Sequence, residues 1–208
     1  MKTPSDIAAQ IADAVQDVPS QGTRFLVAVA GPPASGKSTI AERLVQELTV
    51  RGRPAGLLGM DGFHIDNTIL TERRLLARKG APETFDLAGF KSILHRLSQE
   101  DEVIAPTFDR ARDASIGSSS VISPDMGIVV VEGNYLLLDA PGWRDLHGVW
   151  DYRVKLDVPA EVTEQRLLKR WSDHGYSSQD AQTKIAGNDM PNTRRVSQEC
   201  LPADLTIS

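Results

Sequence analysis

The chain has 208 residues, 40% of them hydrophobic and 25% charged, enough to bury a substantial core without a disulfide or metal staple. A single cysteine, Cys200, excludes an internal disulfide framework and a multi-cysteine zinc site. A formal charge of −5 excludes nucleic-acid binding through bulk electrostatics. No apolar run approaches the roughly 20 residues of a membrane span, so membrane insertion is not expected. The first residues (Lys2, Thr3, Pro4, Ser5, Asp6) lack a secretory pattern. A cytoplasmic protein fits these readings.

In residues 6–18, Ile7, Ile11, Val15 and Val18 recur at steps of four and three. This predicts an amphipathic helix with Ser5 as its N-cap, within an N-terminal segment 1–20. Residues 24–30 (RFLVAVA) form the nearly continuous apolar run of a strand buried on both faces. The run ends in GPPASGKS. Residues 39–50 follow with Ile40, Leu44, Val45 and Leu48 at helical spacing, and Gly52 stands just beyond.

A second strand, 55–60, leads into Asp61-Gly62-Phe63-His64. Residues 66–79 read as a helix carrying Arg73, Arg74, Arg78 and Lys79, broken at Gly80-Ala81-Pro82. Residues 88–99 read as an amphipathic helix. Within 103–124, extended pieces at 105–108 and 119–123 suit a hairpin. The strongest strand, 127–131, ends at Glu132-Gly133. Residues 154–158 predict a strand and 161–171 a helix. The polar stretch 172–192 reads as a mobile loop or lid, within a lid region of about 166–192. Residues 205–208 suggest a last strand. Strands alternating with helices imply an α/β fold, a mostly parallel sheet with helices on both faces. Such sheets bind phosphate ligands beyond the carboxyl ends of their strands, where Gly31, Asp61 and Glu132 fall.

Gly31-Pro32-Pro33-Ala34-Ser35-Gly36-Lys37-Ser38 matches the phosphate-loop pattern G-x-x-x-x-G-K-[ST], and Thr39 opens the helix behind it. Glycines let the backbone turn so that successive N–H groups face phosphate oxygens, and the helix adds its positive end. Lys37 would reach the β- and γ-phosphates of a nucleotide and Ser38 would ligate Mg²⁺. Glu132, at the end of a buried strand, stands where a carboxylate holds the Mg²⁺ shell. Asp61 is redundant for nucleotide binding, yet suits a general base for an acceptor hydroxyl. Its alternative is an Asp-Gly turn residue. Arg170 and Arg166, on the predicted helix entering the lid, could offset charge on a transferring phosphoryl group. They could equally be a solvated face. His64, three residues after Asp61, could contact substrate or pack. The four histidines have no metal-ligand spacing.

The ordered blocks DGFH (61–64), RKGAPETFD (78–86), PTFD (106–109) and EGNY (132–135) resemble the phosphoribulokinase/uridine kinase family of P-loop kinases, which includes type I pantothenate kinases. The chain is most similar to short members labelled fructose-transport-system or nucleoside/nucleotide-like kinases. Gly80 stands where uridine kinases carry a ribose-binding aspartate. The resemblance implies one P-loop kinase domain over 1–208, with a parallel five-stranded sheet and a lid. It implies ATP-dependent transfer of the γ-phosphoryl group to a hydroxyl of a small metabolite (a sugar, a pantothenate-like compound or a nucleoside). Asp61 would be the base and Glu132 would lie by the metal. The acceptor pocket would draw on His64, Arg78, Phe85, Phe108, Asp109, Arg110 and Arg166, with Arg170 closing over the site. A regulatory nucleotide switch without an acceptor is the alternative, although no N-K-x-D or L-S-G-G-Q motif is present. A homodimer is compatible with the sequence.

Overall fold

Strand β1 (Phe25–Ala30) is buried at every position because both of its faces are covered. Leu26, Ala28 and Ala30 join one apolar cluster, while Phe25, Val27 and Val29 join another on the opposite side. Strand β5 (Ile128–Gly133) divides in the same way, with Val129 and Val131 on one side and Ile128 and Val130 on the other. This two-sided burial explains the unbroken apolar runs in the sequence. With β2 (Ala55–Gly59), β6 (Tyr152–Leu156) and β7 (Leu205–Ile207), they form a five-stranded sheet in the order β2-β5-β1-β6-β7, every pair parallel. The computed structural model describes residues 2–20 and 22–208. Met1, at the start of the predicted N-terminal segment, and Gln21 lie outside the described residues.

Helices α1 (Pro4–Ala14) and α2 (Lys37–Val50) cover one face through Ile11, Ile40, Leu44 and Leu48. Truncating fully buried Leu44 to alanine should cost about 2–5 kcal/mol. On the other face, α4 (Leu87–Leu97) contributes Phe90 and Leu94 to an apolar cluster that also holds Tyr135, Trp143 and Trp150. A separate hairpin of β3 (Val103–Asp109) and β4 (Ala114–Ile122) stands beside the sheet. The segment 103–124 therefore pairs over a longer stretch than its two predicted pieces.

Three sequence expectations need correction. The cap of α1 is Thr3 rather than Ser5: its hydroxyl accepts from the Asp6 N–H while the Asp6 carboxylate accepts from the Thr3 N–H, a reciprocal box. The predicted helix 66–79 is only α3 (Asn67–Glu72), followed by a short 3₁₀ turn at Leu76–Arg78. Arg74 adopts φ +57°, which no helix continues through. The predicted loop 172–192 is mostly helical. After α5 (Ala160–Asp173) come α6 (Ser178–Lys184), a π turn at Ile185–Asp189 and α7 (Met190–Gln198). Its polarity misled because the buried positions include Asn188, Asp189 and Asn192 beside Ala181 and Ile185.

Candidate active site

The loop between β1 and α2 turns at positions that only small residues tolerate. A Cβ on Gly31 would lie 2.8 Å from Ser35 Oγ and 3.1 Å from Leu156 Cβ, and Gly36 has φ +88°. Ser35 Oγ is buried without a hydrogen-bond partner. The loop is braced from α5: Arg166 donates to the carbonyls of Ala34 (3.2 Å) and Ser35 (3.3 Å).

Lys37 begins α2 and is 9% exposed. Burial draws its ammonium below the usual lysine range, against the opposing pull of the Glu132 and Asp61 carboxylates. Glu132, 6% exposed near the end of β5, accepts a hydrogen bond from Ser38 Oγ at 3.1 Å. Burial raises it above the ordinary carboxylate range, with Lys37 opposing.

Asp61 lies in a 3₁₀ turn (Met60–Phe63) immediately after β2, and β2 pairs with β5 so that Gly59 faces Glu132. Burial pushes the Asp61 carboxyl up, but the neighbouring positive charges, Lys37 foremost, outweigh it and hold the group below the usual range. Arg110, in the turn of the β3–β4 hairpin, donates to Asp61 Oδ2 at 3.0 Å. His64 Nε2 is 3.9 Å from Asp61 Oδ1. The imidazole stacks on Phe85 (4.1 Å between ring centres) with Phe108 at its edge (4.9 Å). Burial lowers it to about 4, so it is neutral at neutral pH.

Lys37, Asp61, His64, Phe108, Arg110 and Arg170 line one cavity of about 340 Å³, with Pro33 at its edge. Burial lowers the Arg170 guanidinium, with Arg110 adding to the effect. Four residues expected in the acceptor pocket stand elsewhere. Phe85 lies behind His64. Arg78 pairs with Glu83 at 3.0 Å. The Asp109 carboxylate caps the hairpin turn by accepting from the N–H groups of Ala111 and Arg112, and Arg166 serves the phosphate loop.

The walls also contain residues that were not singled out as site residues in the sequence. Lys79 reaches in and is held by Asn67 Oδ1 (2.7 Å) and by the Asp113 carbonyl (2.7 Å) and carboxylate (2.9 Å). Trp171, next to Arg170, donates its indole N–H to Asp189 Oδ2 at 2.7 Å, and Lys184 sits 4.6 Å over its ring. Burial raises the Asp189 carboxyl. Asn188 Nδ2 donates to the Lys79 carbonyl at 2.9 Å, fastening the π turn onto the 79–86 segment. In the sequence, Lys79 falls within the RKGAPETFD block (78–86), and Asn188 and Asp189 within the polar run NDMPN (188–192).

The profile of the Phosphoribulokinase / Uridine kinase family matches residues 26–207. The uncharacterized protein YggC of Escherichia coli K12 is 34% identical over 188 residues, covering 88% of this chain and 77% of that one. A candidate uridine kinase of Schizosaccharomyces pombe, C227.14, is 30% identical over 194 residues, covering 88% and 83%. Pantothenate kinases also match, over about half of their own length. The crystal structure of a candidate fructose transport system kinase from Silicibacter sp. TM1040 superposes with a TM-score of 0.92 at 45% identity, covering 100% of both chains. Among the described residues, no helix is long and apolar enough to cross a membrane.

Proposed function

The chain belongs to the phosphoribulokinase/uridine kinase family and is a phosphotransferase that uses ATP and a hydroxyl acceptor; on that premise we propose how its own residues divide the work. The phosphate-loop backbone of residues 31–36 and Lys37 hold the triphosphate, and Arg166 keeps the loop in shape through its two carbonyl contacts. The neighbouring Ser38 hydroxyl and Glu132 carboxylate, both hard oxygen donors, fit Mg²⁺. Bound there, the ion would neutralise charge on the β- and γ-phosphate oxygens.

The observation that carries the acceptor side is Asp61. Its carboxylate shares the cavity with Lys37 and Arg170 but belongs to a different strand end from the Ser38–Glu132 pair. Held below the usual carboxylate range, it is ionised at neutral pH and can orient a hydroxyl and take its proton. Arg170 offsets charge that spreads over the transferring group, and closure of the α5–α7 segment would keep water from competing as acceptor.

Asp61→Asn tests the assignment, since it keeps the shape and removes the base. Acceptor-dependent ADP formation should fall by about 10²–10⁴-fold, while Mg-ATP binding by calorimetry stays within a few-fold. Loss of Mg-ATP binding would move Asp61 to the metal site; unchanged acceptor turnover would reduce it to a turn residue. Rapid ATP hydrolysis indifferent to every added acceptor would instead favour a nucleotide switch.

A further inference from the structure

Among the described residues, three buried side-chain atoms lack a hydrogen-bond partner in residues that line the cavity: His64 Nδ1, Asn134 Oδ1 and Asn192 Oδ1. Buried polar groups are nearly always paired, so a set gathered around one cavity marks bonds left for a ligand to complete.

The orientation of Asn192 follows from its neighbours. The Lys79 carbonyl can only accept, so Asn188 must turn its Nδ2 toward it, as it does at 2.9 Å. Asn188 Oδ1 then faces Asn192, which must present its own Nδ2, at 3.2 Å. What remains unpaired on the oxygen side of Asn192 is its carbonyl, an obligate acceptor, beside the second N–H of the same amide. Asn134, directly after β5, offers a second unpaired carbonyl oxygen. Carboxylate and phosphate groups carry no donor at neutral pH and cannot satisfy these atoms; hydroxyl groups can.

The cations on the acceptor side are already engaged within the chain. Lys79 is held by Asp113 at 2.9 Å, Arg110 by Asp61 at 3.0 Å, and Lys184 lies on the face of Trp171. Lys37 and Arg170 are committed to the phosphates in the function proposed above. Among the described residues that line the cavity, every lysine and arginine thus has a partner in the chain or a role on the phosphates, so an acid group on the acceptor would have to displace one of these pairings.

We propose that the acceptor is an uncharged polyhydroxylated compound, a sugar or polyol, whose hydroxyls donate to Asn192 and Asn134 and complete the hydrogen bonding of His64. This rests on the kinase reading and adds to it two specificity residues and a substrate class. The neutral imidazole of His64 carries one donor and one acceptor nitrogen, so it can meet a hydroxyl in either sense without demanding a charge.

The test uses the whole chain with Mg-ATP and two panels: D-fructose, D-ribose and xylitol against D-gluconate, D-glycerate and ribose 5-phosphate. Acceptor-stimulated ADP formation and thermal stabilisation are both read. Neutral compounds should be preferred. Asn192→Ala should raise the KM for the preferred compound at least tenfold while the KM for ATP moves less than threefold. Because Asn192 is buried, Asn134→Ala, at the less buried residue directly after β5, provides a second variant with the same expected split. Preference for the acid or phosphate panel would overturn the substrate class and leave the kinase standing. So would an acceptor KM unmoved in both variants. ATP binding without stabilisation or turnover by any of the six compounds would overturn this inference, whereas rapid ATP hydrolysis indifferent to all of them would overturn the kinase reading.

Discussion

The Arg110 guanidinium stands 3.0 Å from the Asp61 carboxylate, joining the tip of the β3–β4 hairpin to the turn that follows β2. The pair has a kinetic consequence. Arg110 is one of the charges that hold Asp61 below its ordinary range, so the proposed base is ionised at neutral pH and its contribution should disappear only as pH falls through that depressed value. Arg110→Ala removes one such charge. The acid limb of the acceptor-dependent kcat/KM profile should move to higher pH, toward the ordinary carboxylate range. A limb that stays put or moves lower would disconnect Arg110 from the base.

Arg170 invites a different measurement. It lines the cavity near Asp61 and Asp189, where we propose that it faces the transferring group. Arg170→Ala should reduce kcat by about 10²-fold or more, since charge stabilisation of this kind acts chiefly in the transition state. The KM for ATP should shift only a few-fold. A collapse of ATP affinity with kcat preserved would make Arg170 a ground-state nucleotide ligand.

Lys37 should show activity and stability pulling apart. Its ammonium is buried at a desolvation cost that a bound phosphate would offset. Lys37→Met should therefore lower phosphoryl transfer by orders of magnitude while leaving the ligand-free Tm equal to or above that of the unaltered protein. A clear fall in Tm would mean that the charge stabilises the empty fold.

Gly62 tests how closely the hairpin must approach the base. A Cβ there would meet the Pro106 carbonyl oxygen at 2.6 Å and its carbon at 2.9 Å, both backbone atoms of β3. Ser115 Oγ also donates to the Gly62 carbonyl. Gly62→Ala should cost about 1–3 kcal/mol by overpacking and should lower acceptor turnover more than ATP binding, because the hairpin and Asp61 would shift together. Wild-type Tm and turnover would show that the turn can yield without consequence.

Legibility in the sequence tracked how local each feature is. The phosphate loop is a contiguous pattern, and Asp61 and Glu132 stand out because each follows an apolar strand. Lys79 and Arg78 could not be separated by pattern. Gly80, at φ +97°, turns the chain after them, and Lys79 lines the cavity while Arg78 pairs with Glu83. The Asp61–Arg110 pair spans 49 residues and no spacing rule reaches that far. Asn188, Asp189 and Asn192 were hidden by their own chemistry. Their helices bury amide and carboxylate groups against the cavity, so hydropathy reads the segment as exposed. The π turn that redirects this segment has no residue signature of its own.

Among the described residues, β3 and β4 form a ladder with each other and with no strand of the main sheet. The nucleotide grip is built into the sheet, where a shifted register would disturb several strands at once. The hairpin that brings Phe108, Arg110 and Asp113 to the cavity hangs outside that constraint. Its base is anchored in the core by Val103, Ala105 and Ile122, but changes in the length or side chains of its tip leave the sheet's hydrogen bonds intact. Divergence in what a lineage of such enzymes phosphorylates can therefore proceed by exchanging this appendage, while the energy-donating half is inherited unchanged.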